Sequence, residues 1–411
     1  MNIDTKKFFR SVAVLVSGTG LAHIINLAFL PVLAKFYSAS DFSIFAVFSS
    51  IVAILSSVAC LRYDMSIAVP KSRVEYECLY KLSQLIAATT SILVLLVGLI
   101  IYSFGDIAYI YVLTVPLAIY LTAIMNASLF LRVKEQSFKK ISKVRSLQSL
   151  ISNFLQLILF FSVFTKFGLL IGYIFNPLVG AGLLRKKNVK TTVRKLKAVF
   201  FKHIRFLKFS VLETLLNVAS IHLPIIIIAQ YASGNVAGYL FLAIKFMGVP
   251  LQLIGTSISQ VYISHASIYR DEGQLYKYTK SIISKLLLIG TFVAIVVLVF
   301  AKPFVSVLFG KDWVLVAEYM QFLTPMYFMQ FISSPVSLVL QITNNQLYAL
   351  VLQFFGFIIR VGGVVSIALL NVDYIIWAFV VTSTAFYLVY LILVFYVVLK
   401  NDKKNIARST C

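Results

Sequence analysis

The sequence predicts an all-α, polytopic membrane protein of about 12 transmembrane helices, in two six-helix lobes around a central cavity and related by a pseudo-two-fold axis along the membrane normal. Three observations predict it. Of 411 residues, 60% are apolar and only 12% charged, and the mean hydropathy is +0.94, far above what the core of a water-soluble protein requires. Apolar runs recur along the whole chain, each long enough to cross ~30 Å of hydrocarbon. The cations, 37 Lys and Arg against 14 Asp and Glu, lie between those runs. The first observation excludes a soluble enzyme. The last excludes nucleic acid as a partner, because the net charge of +23 is divided among short loops where it meets anionic headgroups.

In chain order the runs are 12–34, 42–60, 82–103, 108–131, 146–165 and 167–184, then 209–229, 236–262, 281–301, 319–341, 347–370 and 374–399. The first follows Lys6, Lys7 and Arg10 and is too long for the core of a signal peptide, so it is read as a retained helix. Counting Lys and Arg in alternate loops gives 31 on the side of the N-terminus and 4 on the other, which puts both termini in the cytoplasm. Trp313 and Trp377, with Tyr37, Tyr102, Tyr231 and Tyr374, are then expected at the outer interface, where amphipathic rings gather.

The runs group into an N-terminal lobe (1–184), a basic cytoplasmic connector (185–208), a C-terminal lobe (209–399) and a cytoplasmic tail (400–411). Ten of the connector's residues are Lys or Arg. Val193, Leu196, Val199, Phe200 and Ile204 recur among them at helical spacing, as in a helix lying on the inner membrane surface or in a solvated basic linker. An internal echo supports the two lobes: Tyr37-Ser38-Ala39-Ser40-Asp41 and Tyr231-Ala232-Ser233-Gly234-Asn235 stand 194 residues apart. Phe104-Gly105 and Phe309-Gly310 give a second. Six helices per half preserve orientation, an arrangement known from transporters.

Catalytic and metal-binding patterns are missing. There is no H-E-x-x-H or phosphate-binding G-x-x-x-x-G-K-[ST] motif, and Cys60, Cys78 and Cys411 have neither zinc-site nor disulfide-framework spacing. No catalytic residue, metal or cofactor is expected.

The remaining chemistry is polar groups within helices, which are costly in hydrocarbon and face a cavity or another helix. His23 and Asn26 form a stripe on the first helix, as Glu213, Asn217 and Ser220 do on the seventh. Under the 194-residue offset His23 matches Asn217. Lys245 and Arg360 are the in-helix cations, read either as contacts for an anionic substrate group or as structural partners, Lys245 snorkelling outward and Arg360 bonding carbonyls. Glu213 and His222 are candidates for ion coupling, with a local pair to Lys208 or a hydrogen bond across helices as the plain alternatives. Arg62 and Asp64 offer an opposite-charge pair at the inner mouth, as a cytoplasmic gate or as loop packing.

The segment Leu61-Arg62-Tyr63-Asp64-Met65-Ser66-Ile67-Ala68-Val69-Pro70, with Leu30-Pro31, the repeated tyrosine segments and Phe309-Gly310, resembles the Wzx O-antigen flippases. The likeness runs over nearly the whole chain, and Leu61 to Pro70 is its most specific part. It implies two lobes that alternate between membrane faces of a bacterial inner membrane. The implied substrate is an undecaprenyl-pyrophosphate-linked oligosaccharide, with membrane lipids and the glycan polymerase of the same pathway as partners. It also implies coupling to a proton or sodium gradient, although no coupling motif of the family can be matched here residue by residue. A multidrug exporter of the same superfamily and a membrane glycan polymerase or ligase are the competing readings. The first would favour an acidic cavity, and the second a large outer loop.

Overall fold

The computed structural model describes residues 5–409 except 106–107, 163–164, 187–190, 205–206, 208–209, 233 and 344. Those residues form helices joined by short turns, with no strand among them. In hydrocarbon an unpaired backbone N–H or C=O costs several kcal/mol, so a chain with these apolar runs has to satisfy its backbone within each segment. The helices are α1 (Thr5–Ala34), α2 (Ala39–Val58), α3 (Tyr63–Ser66), α4 (Arg73–Ser103), α5 (Tyr109–Lys134), α6 (Phe138–Phe160), α7 (Gly168–Leu184) and α8 (Val193–Lys202). They continue as α9 (Val211–Tyr231), α10 (Val236–Asp271), α11 (Leu275–Phe309), α12 (Val314–Ser333), α13 (Val339–Ile342), α14 (Gln346–Phe357), α15 (Gly363–Leu370) and α16 (Ile375–Ser409). Each of the apolar runs falls on helix, the tenth running past the end of α12 through a turn into α13, and the eleventh being α14 and α15 joined by a π-helical turn, Ile358–Gly362. Among the described residues, 8 helices are long and apolar enough to cross a membrane, and Gly18–Ala34 and Gly168–Leu184 are shorter apolar stretches.

Several helices outrun their apolar segments. At 36 and 35 residues, α10 and α11 each reach about 50 Å, against ~30 Å of hydrocarbon. They turn into one another at Gly273, whose φ of +69° suits a residue without Cβ. Asp402 of α16 closes this end by accepting from the backbone N–H groups of Leu275 (3.3 Å) and Tyr276 (2.8 Å), which caps the start of α11.

The chain divides into two compact units, Met1–His222 and Leu223–Cys411, with the boundary inside α9. In the first, α6 packs against α1 and α7, and α5 against α4 and α7. A hydroxyl and amide ladder joins α6 to α7. Gln148 Nε2 donates to Asn176 O (2.8 Å), Ser152 Oγ to Gly172 O (2.8 Å) and Gln156 Nε2 to Leu169 O (3.0 Å). In the second unit α12 is enclosed by α10, α11 and α16. That explains how it carries buried Thr324 and Ser333 without an exposed polar face.

Three expectations are corrected. Tyr37 and Trp313 are packing residues rather than interface anchors: Tyr37 is 2% exposed and donates to Gln156 O at 2.6 Å, and Trp313 is buried edge-on against Tyr239. Tyr102, Tyr231, Tyr374 and Trp377 are exposed. Secondly, the helix ends repeat at a different interval from the sequence echo. Ala34 and Tyr231, and likewise Ala39 and Val236, stand 197 residues apart, so the matching of His23 with Asn217 does not follow helix register. Thirdly, the apolar set of α8 is split. Val199 is buried among Tyr63, Leu79 and Leu131, with Leu196 and Phe200 beside it, whereas Val193 is 82% exposed. One face of α8 is therefore docked on protein.

Candidate functional site

The in-helix polar groups of the first unit lie on α1, α2, α6 and α9. Asn26 is half-buried, and its Oδ1 accepts from Asn153 Nδ2 at 2.7 Å. Asn153 is buried on α6 and also donates to Ser149 O, so Asn26 is fixed to a neighbouring helix. His23, one turn earlier, is half-buried. On α9, Glu213 and Asn217 are exposed, whereas Ser220 is buried and returns its hydroxyl to Asn217 O. His222 Nδ1 lies 3.2 Å from the Oγ of Ser50, a buried residue of α2. Buried Pro224 follows two residues later and removes a backbone donor from the helix. No hydrogen bond joins Asn26 to Asn217, and Glu213 has no ion pair, among the described residues. Lys208, its anticipated partner, lies outside them.

The two cations singled out in the sequence, Lys245 and Arg360, belong to the second unit and differ in setting. Lys245, the tenth residue of α10, is exposed, with Nζ 5.1 Å from the Phe241 ring centroid one turn back. Arg360 is 3% exposed and occupies the middle of the π-helical turn. Its guanidinium carbon lies 4.0 Å from the centroid of Phe386 and 4.6 Å from that of Tyr387, both on α16. A desolvated cation over an aromatic face gains on the order of 2 kcal/mol, and the planar group matches a ring as an ammonium cannot. The π turn, a wider coil found mostly as single turns, sets the register that presents Arg360 to those rings.

A third cluster gathers at the end of the first unit that carries the basic loops. Leu61 and Arg62 have φ of +48° and +62°, two successive non-glycine residues in the left-handed region, which costs on the order of 1–3 kcal/mol each. The sharp turn buries α3: Tyr63 is 0% and Asp64 6% exposed. The expected Arg62–Asp64 salt bridge is not formed. With its backbone left-handed, Arg62 directs its guanidinium to the Met65 sulfur, and Asp64 Oδ1 is buried with no hydrogen-bond partner. Burial pushes the Asp64 carboxyl above the usual range, against the lowering effects of the Arg62 charge and nearby backbone N–H groups.

Around this turn the connector is clamped to the first unit. Tyr63 stacks on Phe200 with ring centroids 5.3 Å apart and donates to Phe200 O at 3.0 Å. Glu75 meets Lys202 Nζ at 2.8 Å and His203 Nε2 at 2.9 Å. Beside it, Lys186 bridges Glu77 (2.9 Å) and Glu135 (2.7 Å), and Arg132 binds Glu135 and the carbonyls of Leu184 and Arg185. Burial pushes Glu135 upward, but the Lys186 hydrogen bond and the Lys186 and Arg132 charges outweigh it and hold the carboxyl low. Desolvation likewise pulls Lys186 down, and its bonds to Glu135 and Glu77 raise it by more.

Sequence reasoning singled out α1 and α9 and missed the α6 ladder, although Gln148, Ser152 and Gln156 recur every fourth residue, one face of a helix. It also missed the aromatic seat of Arg360, because Phe386 and Tyr387 are distant in the chain. No group of His, Cys, Asp and Glu able to hold a metal occurs among the described residues.

A family model described as polysaccharide biosynthesis protein matches residues 32–318. The chain belongs to that family. No curated protein matches this chain, but solved structures share its fold. An inward-facing multidrug resistance MATE family transporter of the MOP superfamily has a TM-score of 0.62 at 13% identity, covering 96% of this chain and 94% of that one. A eukaryotic MATE transporter has a TM-score of 0.61 at 13% identity, with 98% of each chain covered. A MOP superfamily transporter from Pyrococcus furiosus, described as having a binding pocket of reverse polarity, has a TM-score of 0.59 at 13% identity, covering 93% and 94%. This member of the polysaccharide biosynthesis family thus has the helical fold of MATE transporters.

Proposed function

We propose that the protein is a flippase that moves an undecaprenyl-pyrophosphate-linked oligosaccharide, the repeat unit of O-antigen or a similar surface polysaccharide, from the cytoplasmic to the periplasmic leaflet of the bacterial inner membrane. Both termini are cytoplasmic in this reading. The observation that carries it is the pairing of polysaccharide biosynthesis family membership with a MATE-type fold. A glycan pathway that assembles its product on a lipid needs a protein to pass the polar head through hydrocarbon, and the polyprenyl tail can stay in lipid.

Charge supports the same reading. The pyrophosphate would be met by the exposed point charge of Lys245 and, in a state in which it leaves its aromatic seat, by Arg360, whose planar fork suits paired phosphate oxygens. His23, Asn26 and Asn217 would contribute neutral contacts to the substrate. Alternating access would be driven by a proton or sodium gradient through Glu213 and His222, with Arg62 and Asp64 at the cytoplasmic gate. The glycan polymerase of the pathway would take the product.

The test is the lipid-linked glycan pool of a deletion strain, complemented with wild type, Arg360→Ala or Lys245→Ala at matched membrane abundance. Accumulation of single repeat units, cleared by wild type and not by the variants, is the expected result. An unchanged pool with intact surface glycan, in a strain without a second flippase, overturns it. The multidrug reading draws on the MATE neighbours. It would be supported by broad drug sensitivity of the deletion strain with surface glycan intact, and is disfavoured by the two cations, Lys245 and Arg360, that the flippase reading invokes against one acid, Glu213.

A further inference from the structure

Two exposed rows on α10 differ in composition. Ile254, Val261 and Ile268 follow one another at heptad spacing and are 43%, 57% and 55% exposed. Lys245, Gln252 and Ser259 form a parallel heptad row two residues out of phase, with Thr256 and Gln260 beside them. Two residues of helix correspond to about 200° of rotation, so the rows lie on well-separated faces. The buried arc between them holds Tyr262 and Ala266, packed against the rest of the unit.

An exposed apolar strip on a membrane helix suits acyl chains, but an exposed row of amides, hydroxyls and an ammonium does not. Lys245, Gln252, Thr256 and Gln260 are all exposed and Ser259 is half-buried. Polar side chains that act as helix glue are consumed by a neighbouring helix, as Gln148, Ser152 and Gln156 are on α6. Gln252 and Gln260 make no hydrogen bond among the described residues, and Thr256 only returns its hydroxyl to Leu253 O at 3.0 Å, which leaves its oxygen free to accept. Ser257, outside the row, is satisfied in the same way. From Val236 to Arg270 the helix contains no carboxylate.

We propose that the row Gln252, Thr256, Ser259 and Gln260 is the surface that holds the sugar hydroxyls of the transported glycan, with Lys245 at one end of the row for its anionic linkage. An amide offers two donors and an acceptor in one plane, and a hydroxyl adds both functions. Such groups bind polyhydroxyl compounds without imposing charge. From Lys245 to Gln260 the row extends about 22 Å at 1.5 Å per residue, so sugars beyond the linkage fall on neutral positions. The lipid-facing row of isoleucine and valine holds the helix in the bilayer and takes no part in recognition.

This inference rests on the flippase reading, and two ligands separate its failure from the failure of that reading. The full-length protein in lipid nanodiscs is titrated with lipid-linked saccharide extracted from the deletion strain, and with undecaprenyl pyrophosphate carrying no sugar. For Gln252→Ala/Thr256→Val/Gln260→Ala, affinity for the saccharide-bearing lipid is expected to fall at least about tenfold, the cost of a few lost hydrogen bonds, while the sugar-free lipid binds as to wild type. Lys245→Gln weakens both ligands. Ile254→Ala/Val261→Ala changes neither. If the triple variant does not fold, Gln252→Leu and Gln260→Leu are read singly. Unchanged saccharide binding, or an equal loss for both ligands, overturns the inference. Failure of wild type to bind either ligand overturns the flippase reading and the inference with it.

Discussion

The guanidinium of Arg360 is stacked on the ring of Phe386, 4.0 Å from carbon to centroid, with Tyr387 at 4.6 Å. Arg360→Lys keeps the charge and loses the planar stack. It is expected to destabilise the protein by about 1–2 kcal/mol, seen as a lower thermal midpoint in detergent, and to leave lipid-linked glycan uncleared in the complementation assay. Phe386→Leu should lower the midpoint to a similar extent. A midpoint equal to wild type for both variants would show that the stack adds nothing.

At Gly172, α7 approaches α6 so closely that an added Cβ would lie 3.0 Å from Gln156 N and 3.1 Å from Ser152 O. These are backbone atoms, and they cannot swing aside. Gly172→Ala should therefore cost about 1–3 kcal/mol and reduce membrane abundance. At Gly182 nothing lies within 4 Å of the same methyl, so Gly182→Ala should behave as wild type.

Two carboxyls at the basic end respond to pH in opposite senses. Glu135 is held below its ordinary value, so its contribution to stability is complete above about pH 4.3 and is lost as pH falls through its lower folded value. Asp64 is raised by burial, so its contribution is complete below about pH 3.9 and is lost as pH rises through its higher folded value. At pH 7, Glu135→Gln should lower the thermal midpoint and Asp64→Asn should raise it. Both differences should shrink as pH approaches 3, in midpoints measured across a pH series.

The connector helix α8 is held by Glu75, through Lys202 and His203, and by the stack of Tyr63 on Phe200. Glu75→Ala/Phe200→Ala should free it, making Arg194 and Lys197 cleavable by trypsin severalfold faster in inverted membrane vesicles. Equal cleavage rates would mean that the clasp does not restrain the connector.

The helices were legible in the sequence because hydrocarbon imposes a simple rule. A run such as 209–229 has to satisfy its own backbone, and α9 spans Val211–Tyr231. What escaped was decided by side chains that meet only after folding. Tyr37 reads as an interface tyrosine until Gln156 O is found 2.6 Å from its hydroxyl. Arg62 and Asp64 read as a pair, yet a left-handed backbone two residues long redirects the arginine. Asn26 reads as a group for a cavity or for another helix, and its bond to Asn153 depends on the packing of α6 against α1. Polarity within a helix is visible in sequence, but its partner is not.

The π-helical turn at Ile358–Gly362 carries one residue more than an α-helix needs to cover the same rise. A coil with a spare residue has two ways to be wound. Tightening this turn to α geometry would pass the surplus along the chain, advancing one end by about 1.5 Å and rotating it by roughly 100°. Arg360, at the middle of the turn, would leave the aromatic pair without any hinge bending. The helix would act as a screw thread with a discrete step, and deleting a single residue there would lock it in the tighter winding.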